Sequence, residues 1–381
     1  MQHINSTIPV SLLSKYRGCL MGAIIGDCMG ARFEKSAEPF AMVASRIEPS
    51  SLRNQIPRNG GRFLFPYGVD SVMLLASGES VAGHVSSRGD PSDLSKVFLD
   101  SLRKSLEDHT TACSSVKWGV GTRNLLESDY GRVDFQLRSN CGITRALVAG
   151  LVPSPEVVAE SLCCATHKHD SAIEGAKLVA RSVNLALREE RMIQEDDVQH
   201  KQYHSIVTKA RSLATAKEYS EDDEFNTHLQ DRFGARFGRD ASSQCSIAAM
   251  IFSIHRTIHS LPYLDIASEE YRRRIETLAK AGLDKEKGKI GKNVMGNSNR
   301  MDTALLFSKL TPSIEQDLPV ALAIGWAISL GGDVRSNACL AGGLAGALWG
   351  DQAIPDEWTM FCEGMDEARD LADSLFKVSN S

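Results

Sequence analysis

The chain has 381 residues, 42% of them hydrophobic and 24% charged, with a formal net charge of −5. That is the make-up of a globular protein with a sizeable core. So mild a charge gives no bulk electrostatic case for nucleic acid, and no apolar run reaches the roughly 18 residues that span a bilayer. Nine cysteines without a CxxC pair, mostly in apolar stretches (Cys19, Cys163, Cys164, Cys339), read as reduced, buried thiols of an intracellular protein rather than as a zinc site.

In chain order the sequence predicts helices with little strand signal. Residues 1–15 read as a tail. They lack the apolar centre of a signal peptide, although Lys15 and Arg17 near several serines leave a transit peptide open. A helix is expected over 11–30 with Ser11 as its N-cap, then a Pro-, Ser-, Gly- and Arg-rich loop over 39–68. A second helix begins at about Asp70. Pro91-Ser92-Asp93 caps a third, with apolar residues at 94, 98, 99 and 102. Residues 118–121 (WGVG) read as a tight turn, and 139–142 (SNCG) as a loop feeding the helix ITRALVAGLV. Two helices follow over 154–187, opening on Ser154-Pro155 and broken at His167-Lys168-His169-Asp170.

Residues 188–240 are charged and read as two solvated helices with a mobile link, Glu221–Glu224 being a solvated loop. An apolar helix is expected over 242–258. Its continuation places His255 and His259 on one face, but without an intervening HExxH glutamate they read as packing and surface residues. Residues 261–318 look like an inserted loop carrying one helix (268–282), and a helix over 365–377 closes the chain. The whole reads as one all-α domain over 16–377.

Two glycine-rich stretches organise this plan. In 328–350 (ISLGGDVRSNACLAGGLAGALWG) an apolar segment turns on Gly331-Gly332, presents Asp333 and enters a helix with few bulky side chains. Gly342, Gly346 and Gly350 recur every four residues, which places them on one helical face. Gly18, Gly22, Gly26 and Gly30 repeat the spacing, with Asp27 just before the last. Interior glycines cost a helix about 0.5–1 kcal/mol each, so these faces are expected to meet another backbone closely. Asp27 reads as a structural acid bonding backbone amides near its helix end.

These motifs carry a resemblance. The chain is similar to the ADP-ribosylglycohydrolase family, in particular to the branch that cleaves serine-linked ADP-ribose, poly-ADP-ribose and O-acetyl-ADP-ribose. The likeness runs from about Tyr16 to Phe376, apart from 261–318. RGCLMGAIIGDCMGARFE resembles the family's opening helix, and Glu34 falls on its active-site glutamate. Ser139–Arg145 resembles the loop that cradles the diphosphate, which implies Asn140 and Gly142 as ligand-binding residues. Ala165-Thr166-His167 falls on the segment whose histidine, here His167, contacts the nucleotide. ISLGGDVRSNACLAGGLAGALWG resembles the Gly-Gly-Asp-Thr-Asp-Thr helix start. The resemblance implies an orthogonal bundle of helices acting on ADP-ribose or ADP-ribosylated proteins. It also implies a cytoplasmic or nuclear location, a mitochondrial one staying open, and a monomer that binds neither membrane nor nucleic acid.

The departures bear on mechanism. The family holds two Mg²⁺ ions between a Thr-Asp-Asp-Thr segment and the Asp-Thr-Asp-Thr segment. Here those segments read Gly68-Val69-Asp70-Ser71 and Asp333-Val334-Arg335-Ser336, so two aspartates are gone and an arginine stands among the survivors. Asp70, Asp333 and Ser336 remain as metal ligands, for at most one Mg²⁺. Arg335 reads as a replacement for metal charge, paired with Asp70 or Asp333 or reaching a ligand's phosphate; the alternative is a side chain turned to solvent. Three functions follow: an ADP-ribose-binding protein with weak or lost hydrolysis, an active hydrolase using Glu34, or a structural protein of the crystallin type.

Overall fold

A computed structural model of the protein describes residues 10–34, 43, 46–47, 65–87, 89–90, 93–112, 140–188, 243–260 and 319–380. In chain order the helices are α1 (Leu12–Gly30), α2 (Val69–Ser87), α3 (Leu94–Ala112), α4 (Cys141–Thr144), α5 (Ala146–Ala149), α6 (Pro155–Cys164), α7 (Asp170–Arg188), α8 (Ser243–Ser260), α9 (Pro319–Ser329), α10 (Val334–Trp349), α11 (Asp356–Phe361) and α12 (Met365–Ser379). Among the described residues there is no strand, only an isolated parallel bridge between Phe65 and Cys362. The fold is all-α, as expected.

The core is built on α1 and α10. Ser11 caps α1, its hydroxyl accepting from Ser14 N at 3.1 Å. Every residue from Gly18 to Gly30 is buried, and so is every residue of α10 except Arg335. A helix that is apolar or small on all sides belongs at the centre of a bundle. The two run antiparallel, backbone to backbone. A Cβ at Gly342 would overlap the carbonyl of Gly22, one at Gly18 would lie 2.5 Å from Gly350 C, and one at Gly26 would lie 2.7 Å from Cys339 N. The glycine spacing therefore has the packing cause read from the sequence, with one correction. Gly350 is not on the helical face: α10 ends at Trp349, and Gly350 terminates it at φ 80° while its N–H donates to Gly346 O at 2.8 Å.

Around this pair lie α8 and α9 against α10, α12 and α2 against α1, and α6 and α7 against each other. Tyr16 meets Phe376 of α12 edge to face at 5.4 Å. Arg17 grips Asp373 through Nε at 2.6 Å and Nη2 at 2.7 Å, a half-exposed pair worth at most about 1 kcal/mol. The expected loop at 139–142 is helical from Cys141, because the amides of Ile143 and Thr144 both close on Asn140 O. The break at 167–170 stands between α6 and α7 as expected, and the half-buried His169 accepts from Ser171 N through Nδ1 at 3.1 Å. The turn at 118–121, the helices over 189–240, the insertion 261–318 and the side chains of His255 and His259 lie outside the described residues.

Candidate functional site

The end of α1, the start of α2 and the start of α10 converge on one cluster of acids. Gly331 and Gly332 turn the chain from α9 into α10 at φ 74° and 73°, a conformation that costs a side-chain-bearing residue 1–2 kcal/mol or so. The turn leaves Asp333 at the N-cap position of α10, where its carbonyl accepts from Asn337 N at 3.0 Å but its side chain makes no capping bond. Its Oδ2 accepts instead from Asn140 Nδ2 at 2.8 Å, and the same nitrogen reaches Ser246 Oγ at 3.0 Å. Asn140 is buried.

Asp27 is the hub. Its Oδ2 accepts from Gly68 N at 2.7 Å, Ser71 N at 3.1 Å and Ser71 Oγ at 2.7 Å. It thus caps α2 from another helix, where a negative charge is favoured by the free amides. Its other oxygen, Oδ1, accepts from Arg335 Nε at 2.6 Å. Asp27 does bond backbone amides, but at the start of α2 rather than near the end of its own helix. Arg335 also reaches Glu34 Oε1 through Nη1 at 3.3 Å. Its side chain is 19% exposed against 0% for Asp27 and 41% for Glu34, so the pair with Asp27 is the buried one. Burial opposes the guanidinium's charge, yet Asp27 and Glu34 more than offset it and hold the pKa above its ordinary value. The expected partners of Arg335, Asp70 and Asp333, are corrected to Asp27 and Glu34. The physical reason is that α10 lies against the end of α1, with Gly30 packed on Arg335 Cα.

Asp70 stands in the first turn of α2 and is 3% exposed. Its Oδ2 accepts from Ser336 Oγ at 2.7 Å, while its Oδ1 has no hydrogen-bond partner. Burial, with Asp27 and Asp333 nearby, raises its pKa from 3.8 to about 7 against the opposing bonds from Ser336 and Thr144. Asp70 therefore keeps its proton to much higher pH than an exposed carboxylate does. Asp70 with Ser336 and Asp333 with Asn140 form two hydrogen-bonded pairs whose carboxylates repel one another electrostatically, and Glu34 joins the cluster through Arg335.

A second group lies beside it. Gly142 makes room for its neighbours: a Cβ there would meet Cys163 Sγ at 3.1 Å and His167 Cγ at 3.2 Å. His167 Nδ1 lies 2.6 Å from Thr166 Oγ1, which also accepts from Arg145 Nη2. Burial, then the charge of Arg145, pulls the His167 pKa down to about 3, so His167 is neutral at physiological pH. Arg145 is fully buried; its Nη2 donates to Cys163 O at 3.2 Å and its guanidinium lies 4.9 Å from the centre of the Phe98 ring. Sequence reasoning did not single out Arg145, Thr166 or Gly68, which the structure packs against the candidate site residues. The signal was there for Gly68, since it and Arg335 depart from the two metal-binding segments together.

The all-helical fold, with acids gathered at the end of α1 and the starts of α2 and α10, belongs to a recognisable class. The profile of the ADP-ribosylglycohydrolase family matches residues 9–381, and the chain belongs to that family. It is similar to ADP-ribosylhydrolase ARH3 of Danio rerio, with 24% identity over 391 residues, 97% of this chain and 92% of that one. ARH3 of Mus musculus is 24% identical over 385 residues, 96% of this chain and 92% of its own. A solved structure described as an ADP-ribosylglycohydrolase-related protein complex aligns with a TM-score of 0.51 at 17% identity, covering 97% of this chain and 99% of that one. At that identity the likeness shows the fold alone.

Proposed function

We propose that the protein recognises ADP-ribose, free or attached to a protein, and that its hydrolase activity is weak or lost. The observation that carries this reading is the buried ion pair of Arg335 with Asp27 at 2.6 Å, inside the acid cluster. A guanidinium is permanently charged and suits phosphate or carboxylate geometry. Family membership, together with the ADP-ribosylhydrolase relatives, supports ADP-ribose as the ligand.

The residues do not fit a centre of two Mg²⁺ ions. Mg²⁺ wants near-octahedral oxygen ligands, yet Val69 offers none and Arg335 brings a fixed positive charge. Among the described residues no three of His, Cys, Asp or Glu gather closely enough to hold an ion. At an effective dielectric near 20, a unit charge about 4 Å from a divalent ion repels it by roughly 8 kcal/mol before screening. We read the protein as a monomer whose ligand binding needs no metal.

A second reading is favoured by the unpartnered Oδ1 of Asp70: one Mg²⁺ held by Asp70, Asp333 and Ser336, with hydrolysis retained. A bound ion would supply polarisation of the ribose hydroxyls. Glu34, exposed and held by Arg335 at 3.3 Å, is then the group placed to take a proton from the attacking water. Calorimetric titration of ADP-ribose with and without Mg²⁺, alongside release of serine-linked ADP-ribose, separates the two. Binding that ignores Mg²⁺ with little turnover supports the first. Turnover that needs Mg²⁺ supports the second, and no binding in either condition sinks both.

A further inference from the structure

The guanidinium of Arg335 rests on Gly68 as much as on its two carboxylates. A Cβ at position 68 would overlap Nη2 and Cζ and stand 3.0 Å from Nε. Backbone conformation does not require a glycine there. The described glycines at positive φ are Gly331, Gly332, Gly350 and Gly364, so Gly68 adopts a backbone open to other residues. The backbone side of this contact is held in place, so it is the guanidinium that must move. The Gly68 N–H is bound to Asp27 Oδ2 at 2.7 Å, and Gly68 O receives Val72 N at 3.2 Å. Asp27 holds both sides of the seat, with Oδ2 on Gly68 and Oδ1 on Arg335. Nη2 is buried with no hydrogen-bond partner; it lies where a side chain at 68 would be.

We propose that Gly68 is a positioning residue for Arg335: with Asp27 it forms a seat that keeps the guanidinium inside the acid cluster as a built-in cation, and a side chain at 68 evicts it. The inference rests on the reading of Arg335 as the charge that serves the ligand. It remains separable from that reading, because the seat exists with or without ligand.

The test combines chemical rescue with a double-mutant cycle. Arg335→Ala vacates a guanidinium-shaped space, whereas Arg335→Ala with Gly68→Ala fills part of it with a methyl group. Low-millimolar guanidinium should raise the melting temperature of Arg335→Ala and restore its binding of ADP-ribose. Urea, neutral and of similar shape, should do neither, and the double variant should gain nothing from either solute. With Arg335 present, Gly68→Ala should weaken ADP-ribose binding by at least about tenfold. With Arg335 already removed it should weaken it no further. Equal rescue of single and double variants, rescue by urea, or the same Gly68→Ala effect in both backgrounds would overturn the proposal. A rescue pattern seen in melting temperature, with no variant or parent binding ADP-ribose, leaves the seat standing and removes the functional reading. Binding by the parent without that pattern removes the seat alone. Should Arg335→Ala not fold, nitrogen-15 NMR of the Arg335 Nε–H decides. A protected signal in the parent that vanishes in Gly68→Ala supports the seat, and one retained in Gly68→Ala overturns it.

Discussion

Gly346→Ala tests the contact on which the molecule is built. In an exposed helix the change would be favourable by about 1 kcal/mol. At 346 the new methyl overlaps the carbonyl oxygen of Gly18 and lies 2.9 Å from Cys19 N, inside the 3.0 Å that real Cβ atoms respect. Both neighbours are backbone atoms of a buried helix, so no rotamer relieves the clash. The helices must part by more than about 1 Å, which thins the dispersion contacts along their length. Overpacking typically costs about 1–3 kcal/mol, occasionally more, and a clash between two backbones belongs at the upper end. After the propensity gain, a net loss of about 2–3 kcal/mol is expected. At about 2.1 cal/mol/K per residue, a domain of this size has an unfolding entropy of about 0.8 kcal/mol/K, so the melting temperature should fall by roughly 3–4 °C. Gly83→Ala is the control, since a Cβ there meets nothing within 4 Å; it should hold or raise stability by up to about 1 kcal/mol. Thermal and denaturant unfolding of the three proteins measures both effects. Gly346→Ala as stable as the parent would mean that α1 and α10 do not touch backbone to backbone.

Arg335→Asp removes the built-in cation and Val69→Asp restores a missing carboxylate, so Mg²⁺ binding by calorimetry should arise only when both are changed; tight binding by the parent would refute the reading of Arg335. Asp70 gives a pH signature. Its folded pKa of about 7 lies above the ordinary 3.8, so the folded state keeps a proton that the unfolded chain has released. Its contribution is fully present below about pH 4, is lost as pH rises to about 7, and is flat beyond. Asp70→Asn should therefore gain stability relative to the parent across that window, and a constant difference between pH 4 and 8 would refute the burial argument. ADP-ribose at a hundred times its Kd should stabilise the protein by about 2.7 kcal/mol, whereas Mg²⁺ alone should not; the reverse pattern in a thermal-shift assay would invert the proposed function.

Local chemistry is what the sequence by itself determined. Ser11 caps α1, Ser154-Pro155 opens α6, and the glycine spacing marks α1 and α10, because caps, proline and helical periodicity act within a few residues of themselves. The motif-by-motif resemblance likewise placed the chain in its family, since four segments in order are legible without coordinates. The partner of Arg335 was not legible. Asp27 and Arg335 are 308 residues apart, and no pattern along the chain says that the end of α1 faces the start of α10 while Gly68, just before α2, supplies a bare α-carbon beside them. Nor does sequence show that Asp27 caps α2 instead of its own helix, or that Arg145 lies buried against Thr166 and Phe98. Pairing among charges is set by which helix ends converge and by what burial removes from water, and only the packed structure decides both.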